Sequence, residues 1–184
     1  MNITKTKIED LFIIVPEIHS DNRGYFIESF NSINFKNIFS EINFIQDNES
    51  KSQYGVLRGL HYQNYPYDQT KLVRVSYGEV LDVALDLRKN SKTFGEYCSV
   101  ILSSKNKKQF LIPKGFAHGY VVLSDYAIFQ YKVDNIYNPE YEGGIIFNDP
   151  ELNIDWKINH NDLIISEKDL KFKTIIDLKN EKKL

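Results

Sequence analysis

The sequence predicts a mainly β fold, a jelly-roll barrel with a few short helices. Short apolar runs recur along most of the 184 residues, and the composition is rich in aromatic residues, with 12 Tyr and 12 Phe. Aromatic and β-branched residues favour strands, and many short strands separated by turn signals are typical of a sandwich or barrel. The length predicts a single domain spanning residues 1–184.

The predicted strands follow one another with turn residues between them. They are LFIIVPEI, GYFIESF, VLRGLHYQ, KLVRVSYGEV, LDVALDLR, YCSVIL, QFLIP, GYVVL and AIFQYKV. In residues 81–88, four leucine or valine positions alternate with Asp82, Ala84, Asp86 and Arg88, which is the period of a strand. The turn signals are Asp21-Asn22, Tyr77-Gly78, Lys114-Gly115 and Gly143-Gly144.

Two segments have the pattern of amphipathic helices. They are NSINFKNIFSEI, residues 31–42, and SEKDLKFKTIIDL, residues 166–178. The tail DLKNEKKL, residues 177–184, is predicted to be a frayed end.

Charge and cysteine content exclude several classes of protein. Lys and Arg total 23 and Asp and Glu total 25, so the net charge of −2 does not favour nucleic acid or acidic lipid as a partner. The single Cys98 excludes an internal disulfide framework and a cysteine-based zinc site. The first ten residues lack the apolar core of a signal peptide, and no run approaches the ~18 apolar residues of a membrane span. We therefore expect a soluble cytoplasmic protein.

Strand alternation predicts which polar side chains share a cavity. On this basis Tyr131 lies with Phe129 and Val133, Lys71 with Val73 and Val75, His118 with Tyr120 and Val122, and His61 with Leu57, Gly59 and Gln63. Gly59 indicates a bulge or a close approach by a ligand, which would let Arg58 reach the same cavity. Each residue taken singly is more often structural: a bonded core His, a packed Tyr, or a Lys that reaches the rim. Together, a base, an acid and a cation favour an active site.

A metal centre is an alternative explanation for the two histidines His61 and His118. The segment PKGFAH, with Pro113, Gly115 and His118, resembles the second motif of the cupin superfamily. The first cupin motif supplies His-x-His and then Glu, whereas this chain has His61-Tyr62-Gln63 followed by Lys71. A divalent metal prefers several His or carboxylate ligands, and a nearby ammonium opposes it. We therefore expect no metal and no other cofactor.

Several segments together resemble one enzyme family. DNRGYFIESF, FIQDN, VLRGLHYQ, KLVRVSYGEVLDVALDLRKNSKTFGEY and IPKGFAHGYVVLSDYAIFQYKVDNIY are similar to the dTDP-4-dehydrorhamnose 3,5-epimerase family, in the family's order, from about residue 3 to 170. The resemblance implies a metal-free, cupin-like homodimer that inverts the carbons on either side of a nucleotide-sugar ketone. It also implies strand exchange, in which the segment RGYFIES of one subunit completes the partner's site.

The resemblance implies a role for each matching residue. His61 is the implied general base, Tyr131 the general acid, Lys71 the cation beside the enolate oxygen, and Asp169 the carboxylate that orients His61. The implied substrate contacts are Arg23, Glu28, Gln46, Asp47, Asn48, Arg58, His118, Glu142 and Lys168. His19 stands where the family often has an aromatic residue near the nucleotide base. Asp169 has a second interpretation, because Ser166-x-x-Asp169 reads equally well as a helix capping box.

The implied chemistry needs these residue types. A proton beside a ketone is weakly acidic, so its removal requires a base and a group that stabilises the enolate, and inversion requires an acid on the opposite face. Three alternatives stay open at this point. They are an epimerase that inverts one carbon or accepts another nucleotide 4-keto sugar, a metal-dependent cupin oxygenase, and a non-catalytic nucleotide-sugar binder.

Overall fold

Two six-stranded sheets face one another in the computed structural model, which describes residues 1–182. The first sheet has the strand order β1-β2-β10-β7-β12-β5, and the second has the order β13-β6-β11-β8-β9, with β14 pairing in parallel with β6. The strands are β1 (Asn2–Lys5), β2 (Phe12–Val15), β3 (Ile18–Asp21), β4 (Gly24–Ile27), β5 (Gln46–Gln53), β6 (Val56–Gln63), β7 (Lys71–Tyr77), β8 (Glu79–Asp86), β9 (Tyr97–Ser103), β10 (Gln109–Ile112), β11 (Phe116–Val122), β12 (Tyr126–Val133), β13 (Glu142–Gly144) and β14 (Ile164–Ile165). The predicted jelly-roll fold is confirmed.

The main core lies between the two sheets. Val73 and Phe129 of the first sheet pack with Ala84, Tyr120 and Val122 of the second. The prediction from strand alternation therefore holds for Lys71, His118 and Tyr131. On each of the three strands, the residue two positions away belongs to this inner core: Val73, Tyr120 and Phe129, respectively.

The outer faces of both sheets are also covered. Helix α1 (Ser32–Ile38) places Phe35 against Leu72 and Leu111 on the first sheet. Segments after β13 place Phe147 and Trp156 against leucines and valines of the second sheet. As a result both faces of β8 are buried, and its alternation separates two apolar layers rather than core from solvent. In the described part of the chain, no helix is long and apolar enough to cross a membrane.

The second predicted helix is wrong in its position. Residues 169–171 form a 3-10 turn, and the chain then runs extended while Lys173 bridges to Ile145. Helix α2 is Ile175–Lys182, so the predicted frayed tail is helical as far as Lys182, and residues 183–184 lie outside the described residues. Thr174 and Asp177 exchange the hydrogen bonds of a capping box, which explains why the helix begins here and not at Ser166.

A β-bulge in β6 changes which residues face the inside of the barrel. His118 of β11 is opposite His61, and Tyr120 is opposite Arg58, so Gly59 and Leu60 together oppose one residue of β11. Because directly opposed residues share a face, Arg58 and His61 point to the same side. The predicted bulge is confirmed. The predicted shared face of His61 and Leu57 is wrong, since Leu57 packs in the outer layer.

The bulge depends on a close contact between two glycines. A Cβ on Gly59 would lie 2.5 Å from the Cα of Gly119, and the φ of Gly59 is +125°. A Cβ on Gly119 would lie 2.7 Å from the carbonyl oxygen of Arg58. The atoms that would clash are backbone atoms, so they cannot move aside cheaply.

Gly59→Ala should therefore lower the free energy of unfolding by more than the cost of the positive φ alone. Gly24 is the matched control, because its φ is +131° but its Cβ would have no heavy atom within 4 Å. The positive φ costs about 1–2 kcal/mol at either site, and the clash at Gly59 should add about 1–3 kcal/mol. Chemical denaturation measures the difference, and equal losses in the two variants would contradict the contact.

Candidate active site

A cavity of about 270 Å³ opens between the two sheets. Strands from both sheets contribute its polar lining: Asn48, Glu49, Ser50, Arg58, His61, Lys71, His118, Tyr120 and Tyr131, with Phe129 as the apolar wall. The cavity thus brings together five residues that the sequence placed in one pocket. They are Arg58, His61, Lys71, His118 and Tyr131.

His61 is held by a buried carboxylate. Its Nε2 lies 2.9 Å from Oδ1 of Asp169, and the Asp169 side chain is only 4% exposed. The other carboxylate oxygen accepts the backbone N–H of Gly59 at 3.1 Å. Burial raises the pKa of Asp169, but the bonds from His61 and Gly59 outweigh it, so the pKa lies below its usual value. The carboxylate fixes the imidazole and leaves Nδ1 as the ring nitrogen for a substrate.

The two interpretations of Asp169 both have a structural counterpart. The hydroxyl of Ser166 accepts the backbone N–H of Asp169 at 3.2 Å, which is one half of a capping box, although the 3-10 turn itself begins after Lys168 and has no side-chain cap. The carboxylate meanwhile contacts His61 and Gly59. The turn therefore positions the backbone of Asp169, and its side chain acts on the histidine.

An aromatic ring fixes the other side of His61. The ring of Phe172 meets His61 edge-on at 5.4 Å between centroids. Phe172 has room because Gly144, which is opposite His61 on β13, has no side chain, and a Cβ there would lie 2.4 Å from the Phe172 ring. The prediction from sequence missed Phe172 and Gly144, since their contact joins segments that are far apart in the chain.

Lys71 supplies a cation with an unusual environment. It lies on the inner face of β7, and its ammonium has no hydrogen bond or ion pair to another residue within 1–182. Burial lowers the pKa of Lys71 to about 8, although Asp82 and Glu142 favour the charged form. At neutral pH the ammonium is mostly protonated and has little competition for a negatively charged oxygen in the cavity.

Tyr131 faces the cavity from the first sheet, opposite His61 of the second sheet. It packs beside Phe129, at 6.1 Å between ring centroids, and its cross-strand partner on β5 is Asn48. Burial raises the pKa of the Tyr131 phenol, Tyr120 adds to the effect, and Arg58 opposes it. The phenol is therefore protonated at neutral pH and is able to donate a proton.

His118 has a carboxylate partner that the sequence did not reveal. Its Nε2 lies 3.0 Å from Oδ1 and 2.9 Å from Oδ2 of Asp82, a fully buried residue of β8. Asp82 was noted only as one member of an alternating strand. The available signal was a carboxylate within an otherwise apolar run, which requires a buried partner.

Most of the predicted substrate contacts also bond to neighbouring side chains. Arg58 donates to the Ser52 hydroxyl at 3.2 Å, and the Gln46 amide donates to Asn48 at 2.8 Å. Asp47 pairs with Lys132. Glu142 binds Lys168 at 2.7 Å and Tyr137 at 2.9 Å, and these bonds outweigh burial and lower the pKa of Glu142.

Of the predicted substrate contacts, only Asn48, Arg58 and His118 are among the residues that line the cavity. Arg23 and Glu28 belong to the β3–β4 region, where Arg23 pairs with Asp21 at 2.5 Å and Glu28 accepts from Asn31 and Asn34. The β3–β4 hairpin forms its own two-stranded sheet. Within one chain, therefore, the cavity contains the proposed acid–base residues, whereas Arg23 and Glu28 belong to the separate hairpin region.

The side chains that could bind a metal ion are dispersed within the part of the chain that the structure describes. The described residues contain no cluster of three or more His, Cys, Asp or Glu side chains that could hold a metal ion. His61 and His118 are each directed at one carboxylate, and the ammonium of Lys71 shares their cavity.

Fold and cavity together fit a jelly-roll enzyme of the proton-transfer type, because a histidine and a tyrosine enter one cavity from opposite sheets beside a lysine. A family model described as dTDP-4-dehydrorhamnose 3,5-epimerase matches residues 5–177. The chain belongs to this family, and it is an epimerase, an enzyme of the isomerase class.

Individual relatives agree over nearly the whole chain. The dTDP-4-dehydrorhamnose 3,5-epimerase of Methanothermobacter thermautotrophicus is 52% identical over 93% of this chain and 92% of its own. The structure of the enzyme from Elizabethkingia anophelis is 51% identical, with a TM-score of 0.92, over 96% of this chain and 97% of that one. The Legionella pneumophila 3,5-epimerase, solved with dTDP-4-keto-L-rhamnose, is 49% identical, with a TM-score of 0.93, over 98% and 95%.

The environment of Lys71 is measurable without any substrate. In protein carrying 13C-labelled lysine, one Cε resonance should titrate near pH 8, because burial lowers the pKa of Lys71 to about 8. Lys71→Arg should remove that resonance, while Lys107→Arg, at a lysine that contacts Tyr25 outside the cavity, should retain it. The placement of Lys71 is wrong if no lysine titrates below pH 9.

Proposed function

We propose that this chain inverts C3 and C5 of dTDP-4-dehydro-6-deoxyglucose and so forms dTDP-4-dehydrorhamnose, a step of deoxysugar biosynthesis. The observation that carries the proposal is that His61 of the second sheet lies across the cavity from Tyr131 of the first sheet. The carboxylate of Asp169 orients His61. The family relatives named for this reaction support the substrate. The single half-buried Cys98 fits action in the cytoplasm, where thiols stay reduced.

Each side chain has one task in the proposed reaction. Nδ1 of His61 removes the proton from the carbon beside the ketone, and Asp169 stabilises the imidazolium that forms. The electron pair moves to the ketone oxygen, where the ammonium of Lys71 stabilises the enolate. The Tyr131 hydroxyl then donates a proton from the opposite face, which inverts the carbon. Arg58 offers charge-assisted hydrogen bonds to the diphosphate.

The division of tasks between His61 and Tyr131 predicts two different defects. His61→Ala should abolish both product formation and exchange of the sugar protons with solvent, because no proton is removed. Tyr131→Phe keeps the ring and its packing against Phe129. In that variant His61 should still remove a proton and return one to the same face, so deuterium enters with little inversion.

NMR of the nucleotide sugar in heavy water distinguishes these outcomes. Deuterium at both C3 and C5 with the wild-type enzyme supports the proposed reaction, and deuterium at C3 or C5 alone would replace it with a single-carbon epimerase. A folded Tyr131→Phe variant that inverts the sugar at nearly the wild-type rate would refute the two-face mechanism. Loss of activity through loss of a positioned acid should amount to about 10²–10⁴-fold.

We further propose that the enzyme is a homodimer with composite sites. Strand β5 is the last strand of its sheet, so one of its edges has no partner within residues 1–182. The β3–β4 hairpin exposes Tyr25 at 57% and Phe26 at 68%. Exposed strand edges and apolar patches of this kind are commonly covered by a second chain. The exposed Arg23 of one subunit would then reach the cavity of its partner.

Subunit mixing tests the composite site directly. Arg23→Ala and His61→Ala homodimers should each be inactive or nearly so. After denaturation and refolding together at equal amounts, about a quarter of the wild-type sites should return, because half of the dimers are mixed and each contains one intact site. If Arg23 serves its own chain's cavity, mixing restores nothing, and a monomer in sedimentation would exclude the dimer.

A further inference from the structure

A second histidine–carboxylate pair lies directly beside the first. His61 and His118 are cross-strand partners, and each directs Nε2 at a carboxylate, Asp169 and Asp82 respectively. The two pairs differ in burial, because the His61 side chain is 28% exposed while His118 is 9% and Asp82 is 0% exposed. A fully buried carboxylate is costly, so its retention at this position requires a partner and favours a role in the site.

The Asp82 contact constrains the protonation of the His118 ring. A carboxylate accepts hydrogen bonds, so Nε2 of His118 carries the proton that lies between the two groups. His118 Nδ1 has no hydrogen-bond partner among residues 1–182. Among the fully buried side-chain nitrogen and oxygen atoms of these residues, only Gln63 Nε2 lacks a partner, so His118 Nδ1 is not fully buried. Nδ1 is therefore the atom that His118 presents to the cavity it lines.

The neutral ring fits the charges around it. Burial lowers the pKa of His118, although Asp82 opposes the effect, and Lys71 and His61 lower it further. Burial raises the pKa of Asp82, while His118 and Lys71 favour its carboxylate form. The titratable or charged groups that face this cluster are Glu49 on β5, Arg58 and His61 on β6, Lys71 on β7, Cys98 on β9, Tyr120 on β11, Tyr131 on β12 and Glu142 on β13.

We infer that Asp82 is a positioning residue of the epimerase site, which fixes the Nε2–H tautomer of the neutral His118 ring and keeps Lys71, which lines the same cavity as His118, protonated. The inference rests on the proposed function, in which the Lys71 ammonium stabilises the enolate. Nδ1 of His118 then acts as a hydrogen-bond acceptor at the cavity wall for a sugar hydroxyl. The Asp82 charge makes the loss of the Lys71 proton less favourable.

The pH dependence of activity follows from the sign of these effects. The active ammonium of Lys71 is lost as the pH rises through about 8, so kcat/KM should fall on the alkaline side. Asp82→Asn removes a negative charge that favours the ammonium, so the pKa of Lys71 should fall and the alkaline limb should move to lower pH by roughly one unit. Well above the limb this corresponds to about a tenfold lower rate than wild type.

Asp86 provides a matched control on the same strand. Asp86 is also 0% exposed, but its carboxylate binds Arg88, Ser91 and Thr93 rather than a residue of the cavity. Asp86→Asn should lower the melting temperature and leave the alkaline limb in place. If Asp82→Asn folds and retains the wild-type limb, or if both variants shift the limb equally, Asp82 has only a structural role.

A measurement on the unmodified enzyme covers the case in which Asp82→Asn fails to fold. The chain has four histidines, so 15N NMR of the imidazole rings is tractable, and His118→Gln identifies the His118 signals. At neutral pH, His118 should be in the Nε2–H tautomer with an exchange-protected proton. An Nδ1–H tautomer or a doubly protonated ring overturns the inference. The tautomer is read without substrate, so failure here is distinct from failure of the wild-type enzyme to epimerise the sugar.

Discussion

The pairing of β6 with β11 at the Gly59 bulge is the constraint on which the site depends. The bulge rotates Arg58 to the side of His61, and it places His61 directly opposite His118. It also turns the backbone N–H of Gly59 toward Asp169, so that one carboxylate binds both the bulge and the base. In a regular strand, Arg58 and His61 would lie on opposite faces of the sheet, because they are three residues apart and successive side chains alternate. Fold and chemistry are joined at this one irregularity.

The first sheet contributes differently, through an edge that one chain leaves open. Asn48 of β5 lines the cavity, and Gln46 and Asp47 precede it on the same edge strand. The exposed β3–β4 hairpin is the segment of the chain with the aromatic surface to cover such an edge. The proposed composite site would make substrate binding depend on association, whereas the His61–Asp169 pair is complete within one chain.

Period-two alternation was sufficient to predict much of the fold and the inward positions of Lys71, His118 and Tyr131, because each lies on a regular strand. It failed for the strand neighbours of His61, which was predicted to share a face with Leu57, since a bulge set by a glycine contact with β11 changes the face within β6. The pairing of His118 with Asp82 was missed because strand order decides which neighbour a buried carboxylate meets. The start of α2 was also missed, since Lys173 is held extended by its bridge to Ile145, and this tertiary contact overrides the local helical pattern.

The two carboxylates explain how a cavity with several basic groups can stabilise a growing negative charge. Asp169 and Asp82 place a negative charge beside each histidine, and the carboxylate of Asp82 also favours the ammonium of Lys71. Each histidine directs its Nε2 at a buried carboxylate, and the Lys71 ammonium lines the same cavity. That ammonium is poorly solvated, as its pKa of about 8 indicates, and a negatively charged oxygen would therefore bind it more strongly than water does. The burial that lowers the pKa of Lys71 would thus also strengthen its contact with the enolate of the proposed reaction.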